Sequence, residues 1–344
     1  MAQLVVLIHL SRSGSTLLSR LLDELDEVGV TIEGAVPDGM TIPWIEIEDA
    51  ASLDRALDAL FVQSKFRHWG VGRETLRKRL VQSGFPISVR RWLAAILDTY
   101  FQDRPNLKAQ VYKRGAYVEH LEKLHQLVPT AKVIAIVRDP RGAYYSQMRR
   151  GSTLGPAWFA KSYNRFVQAV RRVSAEPWVH VVRYEDLAAR PEAEIGRLAA
   201  FVGADPTRKR ASDYIGQIPP SQSHLHDRLP GPVDAAIAEE WRTRLGPLST
   251  ICIEYLCRDA MIAEGYGPVR RPPGRIPMTL VILGFRCRLL LDYLARLSGA
   301  DGSEEARHAW RRLLRRRSRR PDMVSEADSS ISRGPGVDHR HRPA

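Results

Sequence analysis

Continuous apolar runs recur through the N-terminal part of the chain, and each is short enough to form a single strand. Their β-branched residues favour strands buried on both faces, because a strand with one face in water would alternate apolar and polar residues. The five runs are Leu4–Leu10, Val28–Glu33, Leu107–Lys113, Lys132–Arg138 and Trp178–Tyr184.

Helical spacing of apolar residues appears between these runs, for example over residues 89–101, 117–127 and 158–173. Strands that alternate with helices predict an α/β fold, namely a P-loop-like parallel sheet of about five strands flanked by helices. A right-handed crossover is expected to place the second strand beside the first. Between about residues 34 and 105 the pattern is helical, which predicts a helical insertion at one edge of the sheet that shapes a pocket.

A polar, glycine-containing segment follows the first predicted strand directly. It reads Ser11-Arg12-Ser13-Gly14-Ser15-Thr16 and leads into a leucine-rich helix. A strand, a tight turn and a helix N-terminus together form an anion site, because free backbone N–H groups and the helix dipole point at the ligand. Compared with the ATPase pattern G-x-x-x-x-G-K-[ST], His9 occupies the first glycine position and Ser15 the lysine position, so the lysine of that pattern is missing and Arg12 offers a cation from a different place.

The other predicted strands also end in polar or aromatic side chains. The carboxyl ends of parallel strands meet at one edge of a sheet, where ligands of such folds bind, so these side chains are expected to converge. Arg138 precedes Asp139-Pro140, a good helix start, and Ser146 follows two turns later. Each residue alone has an ordinary structural explanation, and the interest lies in the set. The strand-end residues are Arg12, Glu33, Lys113, Arg138 and Tyr184.

These motifs resemble those of sulfotransferases that use 3′-phosphoadenylyl sulfate (PAPS), in the branch of tyrosylprotein, carbohydrate and bacterial enzymes. The segment Arg12–Leu18 resembles the loop that binds the 5′-phosphosulfate. The segment Val137–Arg141 with Ser146 resembles the 3′-phosphate motif, including the eight-residue spacing from arginine to serine. Arg183–Leu187 resembles the segment after the fifth strand. The resemblance covers roughly residues 3–267, and the order of the three motifs is what makes it specific.

The resemblance implies PAPS as co-substrate, no metal, and in-line transfer of the sulfuryl group to an acceptor hydroxyl. Glu33 is then the general base, with Glu46, Glu48 and His68 as weaker alternatives. Arg12 and Lys113 would stabilise the leaving group, although Lys113-Arg114-Gly115 departs from the usual lysine followed by Ser/Thr/Asp-Pro. The residues implied to bind the co-substrate are Arg12, Ser13, Gly14, Ser15, Thr16, Arg138, Ser146 and Tyr184.

Two other classes of function stay open at this point. One is a nucleotide or small-molecule kinase with a degenerate P-loop, which would bind ATP with magnesium. The other is an inactive relative that only binds nucleotide or docks on membranes. The acceptor of a sulfotransferase could be a carbohydrate, a lipid or a small metabolite, and transfer to an amine is a further alternative.

Charge is concentrated at the C-terminal end. The chain of 344 residues carries a net charge of +13, but the part from Pro268 onward holds 17 Arg, no Lys and 8 acidic residues. This predicts three regions: an α/β domain over 1–267, a basic, partly helical extension over 268–324, and a disordered tail over 325–344. The extension could contact an anionic membrane, whereas a specific nucleic-acid partner is not expected. Three cysteines without a cluster favour a cytoplasmic protein, and the basic extension adds the alternative of a location peripheral to the inner membrane face.

Overall fold

The computed structural model describes residues 2–150, 155–218 and 231–269, together with Leu280 and Leu283. Five parallel strands form one sheet in the order β2-β3-β1-β4-β5, which confirms the predicted α/β class. The central side chains of β1 and β4 are apolar and deeply buried because helices cover both faces of the sheet, and β3 buries Gln110 and Lys113 beside its apolar residues. The strands are β1 (Gln3–His9), β2 (Val28–Val30), β3 (Ala109–Lys113), β4 (Lys132–Val137) and β5 (Val179–Arg183).

Helices occupy the connections between the strands, and a 3-10 helix covers Gly115–His120. The helices up to β4 are α1 (Ser15–Asp23), α2 (Ala50–Phe61), α3 (Ser64–Arg67), α4 (Arg73–Gln82), α5 (Val89–Tyr100) and α6 (Leu121–Leu127). Helices α7 (Pro140–Arg149) and α8 (Pro156–Val173) connect β4 to β5, and α9 (Tyr184–Ala189) and α10 (Pro191–Val202) follow β5. The later ones are α11 (Tyr214–Gln217), α12 (Ala236–Glu239), α13 (Trp241–Arg244), α14 (Pro247–Leu256) and α15 (Arg258–Ala263).

The position of β2 corrects one prediction. This strand was expected beside β1, but it pairs with β3, so β3 lies between them. It is also shorter than predicted, because the chain leaves the ladder after Val30 and only the Thr31 N–H still donates to Val111. Glu33 therefore reaches the centre of the sheet edge from an irregular segment rather than from a neighbouring strand.

The region between β2 and β3 contains the four helices α2 to α5, as the helical pattern of the insertion predicted. Within it, a single pair of bridged residues, Ile47 and Ile87, ties the start of the insertion to the segment before α5. No helix among the described residues is long and apolar enough to cross a membrane. The predicted basic extension and tail lie outside the described residues, except for Val269 and its neighbour Pro268 and the exposed Leu280 and Leu283.

Candidate active site

The turn after β1 has a backbone conformation that its sequence makes possible. Gly14 has φ of 93° and Arg12 has φ of 69°, which is strained for a residue with a Cβ atom. A Cβ atom at position 14 would lie 2.2 Å from Cδ2 of Tyr184, so only glycine fits there. Helix α1 starts at Ser15 without a side-chain cap, which leaves its first N–H groups facing the turn.

Arg138 lies directly beside this turn at the end of β4. It is buried, and one terminal nitrogen donates to the carbonyl oxygen of Arg12 at 3.2 Å, while the other donates to that of Ile237 at 3.3 Å. The guanidinium carbon lies 4.1 Å from the centre of the Tyr184 ring, a cation–π contact. The ring of Tyr184 thus packs between Gly14 and Arg138.

Ser146 on α7 joins the same group, because its hydroxyl accepts a hydrogen bond from Nε of Arg12 at 3.2 Å. The predicted 5′ and 3′ anion sites therefore touch each other through this pair. Asp139 caps α7 by accepting from the Arg141 N–H at 2.8 Å. We call Arg12, Ser13, Gly14, Arg138, Ser146 and Tyr184 the loop cluster.

Lys113, the last residue of β3, lies on the other side of the turn. It is 5% exposed, and its Nζ donates to the Thr16 hydroxyl at 3.2 Å and to the Tyr214 hydroxyl at 3.3 Å. Burial lowers the pKa of Lys113 to about 8, and the negative charge of Glu33 only partly offsets that effect. Lys113 thus reaches the first turn of α1 with an amine that is close to titrating at neutral pH.

Glu33 lies in the irregular segment after β2, and its side chain pairs with the insertion. Its Oε1 lies 3.5 Å from Nζ of Lys65, which comes from α3 of the insertion, and its side chain is about one-third exposed. Burial opposes the negative charge of Glu33, but the electrostatic interaction with His9, followed by those with the two lysines and the arginine around it, outweighs burial and lowers the pKa of Glu33 to about 2. Glu33 is therefore ionised at neutral pH. We call Glu33, His9, Lys65, Lys113 and Arg114, the groups that interact with it electrostatically, the Glu33 cluster.

A buried hydrogen-bond network supports the segment after Glu33. Asp38 is fully buried, and its Oδ1 accepts from the backbone N–H groups of Met40 at 2.8 Å and Thr41 at 3.3 Å. Its other oxygen accepts from the Tyr117 hydroxyl. Arg114 donates to the Thr41 hydroxyl at 2.9 Å, so the residue that follows β3 and the 3-10 helix both hold this segment in place.

All ten residues predicted from the sequence as site residues lie at this one edge of the sheet. Glu46, Glu48 and His68, the alternatives to Glu33, are exposed on the insertion. Arg141 is 2% exposed and pairs with Asp139 and Glu254, at 2.6 Å each, so it supports the fold around α7. Sequence reasoning missed Lys65, Tyr214 and the carbonyl of Ile237, because no pattern links these distant segments to the strand ends.

Two buried polar atoms of the loop cluster test whether an anionic nucleotide fits here. Oγ of Ser13 and Nε of Arg138 have no hydrogen-bond partner among the described residues, and both are donors. An unpaired buried donor costs free energy, and a phosphate oxygen would satisfy it. Together with the close backbone approach at Gly14, these donors fit a phosphorylated nucleotide. Within the described ranges, no three His, Cys, Asp or Glu side chains come together as a metal site.

A parallel sheet with a glycine turn and cationic strand ends at its carboxyl edge defines an α/β protein of the nucleotide-binding class. A model of the sulfotransferase family matches residues 5–208, more than half of the chain. The chain therefore belongs to the sulfotransferase family and is a PAPS-dependent sulfotransferase. This assignment decides against the kinase that the sequence alone had left open.

Solved sulfotransferase structures resemble the chain at low identity. The sulfotransferase domain from the curacin biosynthetic pathway is 16% identical with a TM-score of 0.45, and the match covers 77% of this chain and 98% of that one. The domain from the Synechococcus PCC 7002 olefin synthase is 19% identical with a TM-score of 0.46, covering 77% and 96%. Retinol dehydratase, solved with androsterone and the inactive cofactor PAP, is 15% identical with a TM-score of 0.39, covering 79% and 83%. No curated protein matches the chain.

Proposed function

We propose that this sulfotransferase moves the sulfuryl group of PAPS to an acceptor hydroxyl, with Glu33 as general base and with Arg12 and Lys113 stabilising the leaving phosphate. The observation that carries the proposal is the position of Glu33. It is an ionised carboxylate in the same electrostatic cluster as Lys113, and Lys113 in turn contacts Thr16 of the anion-binding turn. A proton acceptor and a leaving-group cation therefore interact electrostatically with each other.

The residues of the loop cluster are suited to hold the nucleotide. Arg138 and Ser146 would grip the 3′-phosphate, while Ser13, Ser15, Thr16 and the backbone around Gly14 would take the 5′-phosphosulfate. Arg12 links the residues for the two phosphates, since it donates to Ser146 on one side and interacts electrostatically with Lys113 on the other. Tyr184 packs on Arg138 and would border the adenine. When bound, PAPS supplies the activated sulfuryl group, and no metal is required by this arrangement.

The chemistry needs positioning and charge stabilisation more than covalent catalysis. The acceptor oxygen and the leaving phosphate oxygen must lie in line with the sulfur, and negative charge grows on the leaving side. Fixed cations in a site that excludes water stabilise such charge without reorganisation. Arg12 and Lys113 provide these cations on the leaving side, and Glu33 removes the proton on the attacking side.

The acceptor would enter from the side of the insertion, because Lys65 of α3 borders Glu33 there. A hydroxyl of a carbohydrate, a lipid or a small metabolite suits a carboxylate base. An amine acceptor would need the same proton removal, so the assay must include both. The experiment is PAPS transfer against a panel of hydroxyl and amine acceptors, with the added sulfonate read by mass spectrometry.

The expected result is a sulfonated hydroxyl product without added metal, lost in Arg12→Ala and Glu33→Gln. Transfer that proceeds only to amines would overturn the hydroxyl part of the proposal. Equal turnover of wild type and Glu33→Gln would remove Glu33 as the base and return attention to Glu46, Glu48 and His68.

Docking on an anionic membrane and a cytoplasmic location also stay proposals. The eight arginines between Arg307 and Arg320 lie outside the described residues. Co-sedimentation of the full chain with anionic and with neutral lipid vesicles is the direct test. Recovery with anionic vesicles only, lost when these arginines are changed to glutamine, would support docking; equal recovery with both lipids would contradict it.

A further inference from the structure

The amine of Lys113 is held by hydroxyl groups from two different helices. Its Nζ donates to Thr16, in the first turn of α1, at 3.2 Å and to Tyr214, the first residue of α11, at 3.3 Å. Nζ also lies 5.7 Å from the centre of the Tyr214 ring, within the range of a cation–π contact. Tyr214 is 1% exposed, so its hydroxyl meets the amine away from bulk water. The proposed function uses Lys113 and leaves Tyr214 without a role.

The number of donors on the amine shows what the two hydroxyl groups do. An ammonium group has three N–H donors and no acceptor. Thr16 and Tyr214 occupy two of the donors of Lys113, which leaves one N–H for a ligand. A lysine side chain is a flexible point charge, so the direction of this remaining donor depends on the partners of the other two. The amine lies beside the turn where the 5′-phosphosulfate would bind, and a fixed direction is useful there.

Tyr214 belongs to a segment that is fastened to the last residue of α1. The Ser212 hydroxyl donates to Oδ2 of Asp23 at 2.9 Å and accepts from the N–H of Tyr214 at 3.2 Å. Asp23 is 1% exposed, and Arg104 and Arg210 pair with it at 2.8 Å and 3.1 Å. A buried carboxylate with two arginine partners is costly to move, so the end of α1 fixes the position of Tyr214.

We propose that Tyr214 is a positioning residue, which holds the ammonium group of Lys113 in the direction that its contact with the bound nucleotide needs. This inference rests on the proposed function. Helix α1 then places both partners of the amine, Thr16 from its first turn and Tyr214 through Asp23 at its last residue. One helix therefore keeps the anion-binding turn and the cation beside it at a constant spacing.

The hydroxyl contact also bears on the charge of Lys113. Burial lowers the pKa of Lys113 to about 8 against the effect of Glu33, and Lys65 and Arg12 act in the same direction as burial. The charged or titratable groups around the amine are Glu33, Lys65, Arg12 and His9. A hydrogen-bond acceptor favours the charged form of an amine. Loss of the Tyr214 hydroxyl should therefore lower the pKa of Lys113 further, whereas loss of a residue that only supports the fold would leave it unchanged.

The test is Tyr214→Phe, with Tyr100→Phe as the matched control. Phenylalanine keeps the buried ring and removes only the hydroxyl. Tyr100 donates to Oε1 of Gln217 at 2.7 Å, so the control loosens the same helix α11 and leaves the contacts of Lys113 intact. PAP affinity is measured by calorimetry between about pH 6.5 and 9.5.

We expect Tyr214→Phe to weaken PAP binding by about tenfold near pH 8, because a hydrogen bond to a charged group is lost. The fall of affinity at high pH should also begin at a lower pH than in wild type. The control should match wild type within about twofold. Wild-type affinity and pH dependence in Tyr214→Phe would overturn the proposal.

A double-mutant cycle shows whether Tyr214 acts through Lys113. In the Lys113→Met background, Tyr214→Phe should change PAP affinity by less than about twofold, because no amine is left to position. A tenfold effect in that background would overturn the proposal. Should Tyr214→Phe fail to fold, Ser212→Ala is the second variant, since it removes the tie to Asp23 and keeps the hydroxyl. PAP binding should then weaken by about threefold, and wild-type affinity would overturn the role of α1.

A further measurement needs neither turnover nor nucleotide. The amine of Lys113 is titrated by NMR in wild type, Tyr214→Phe and Tyr100→Phe. The titration should move to lower pH in Tyr214→Phe alone, and an unchanged titration would overturn the inference. If wild type binds PAP but sulfonates nothing, the proposed function fails, while PAP affinity and this titration still decide the role of Tyr214.

Discussion

The loop cluster and the Glu33 cluster lie at the same edge of one sheet, but they are built differently. In the loop cluster, Arg138 and Arg12 are held by carbonyl, hydroxyl and aromatic partners, and the arginines cannot change charge near neutral pH. In the Glu33 cluster, a carboxylate, an imidazole and lysines act on one another, and the pKa values of Glu33, His9 and Lys113 are all shifted.

This difference indicates a division of work. A rigid, permanently charged cluster is suited to bind an anion, whereas titrating groups of opposite sign are suited to move a proton. Substitutions in the loop cluster should therefore act mainly on nucleotide affinity, and substitutions in the Glu33 cluster mainly on turnover. The variants of Glu33, Arg138 and Lys113 test that division.

Glu33→Gln should have the largest effect. The amide keeps the size of the side chain but cannot accept the proton, so kcat should fall by about 10²- to 10⁴-fold while PAP affinity stays within a few-fold. Steady-state kinetics with saturating PAPS measures the first quantity, and calorimetry with PAP the second. Glu176→Gln, at an exposed carboxylate between α8 and β5, is the control. A large loss of PAP affinity in Glu33→Gln would mean that the clusters are not separate.

Arg138→Ala should show the opposite pattern. Its loss leaves an anion site without its buried cation, so PAP binding should weaken by about 2–4 kcal/mol, with kcat at saturating PAPS nearly unchanged. Calorimetry measures the affinity, and exposed Arg190→Ala serves as a control. Arg138→Lys should recover only part of the binding, because lysine cannot reproduce the planar contacts to two carbonyls and the Tyr184 ring. Full recovery would show that charge alone matters there.

The loop cluster was predictable from the sequence because its parts are local. The turn after β1 and the start of α7 each combine a strand end with a helix N-terminus within a few residues, and helix capping and glycine requirements can be read there directly. The strands were predicted to within about two residues at most ends, because continuous apolar runs define buried strands. The order of the strands in the sheet was predicted wrongly, since β2 lies on the far side of β3 and not beside β1.

The Glu33 cluster was only partly predictable. Glu33 and Lys113 were recognised at strand ends, but Lys65 comes from a short helix of the insertion, whose position depends on tertiary packing. His9 was noticed only as a residue in place of a glycine. The close approach of Gly115 to His9 joins positions more than a hundred residues apart in the chain, so no local sequence pattern could predict it.

Asp38→Asn tests the support beneath the Glu33 cluster. Burial raises the pKa of Asp38 to about 6, so the native state binds this proton more tightly than the unfolded chain does. The contribution of Asp38 to stability should therefore fall as pH rises from about 4 to about 6. Over that window, the free energy of unfolding of Asp38→Asn relative to wild type should rise by up to about 3 kcal/mol. Urea unfolding at both pH values measures this, and exposed Asp54→Asn should show no such change in that window.

Lys113 lies at the border of the two clusters, since it contacts Thr16 of the turn and interacts with Glu33. Because burial lowers its pKa to about 8, an anion that needs the charged amine must bind less well as pH rises above that value. PAP affinity should fall by up to about tenfold per pH unit between about pH 8 and 9.5, and Lys113→Met should bind more weakly with no such slope. Calorimetry across this range measures both. If wild type shows a flat affinity while kcat still changes with pH, Lys113 serves only the Glu33 cluster, and the leaving phosphate depends on Arg12 alone.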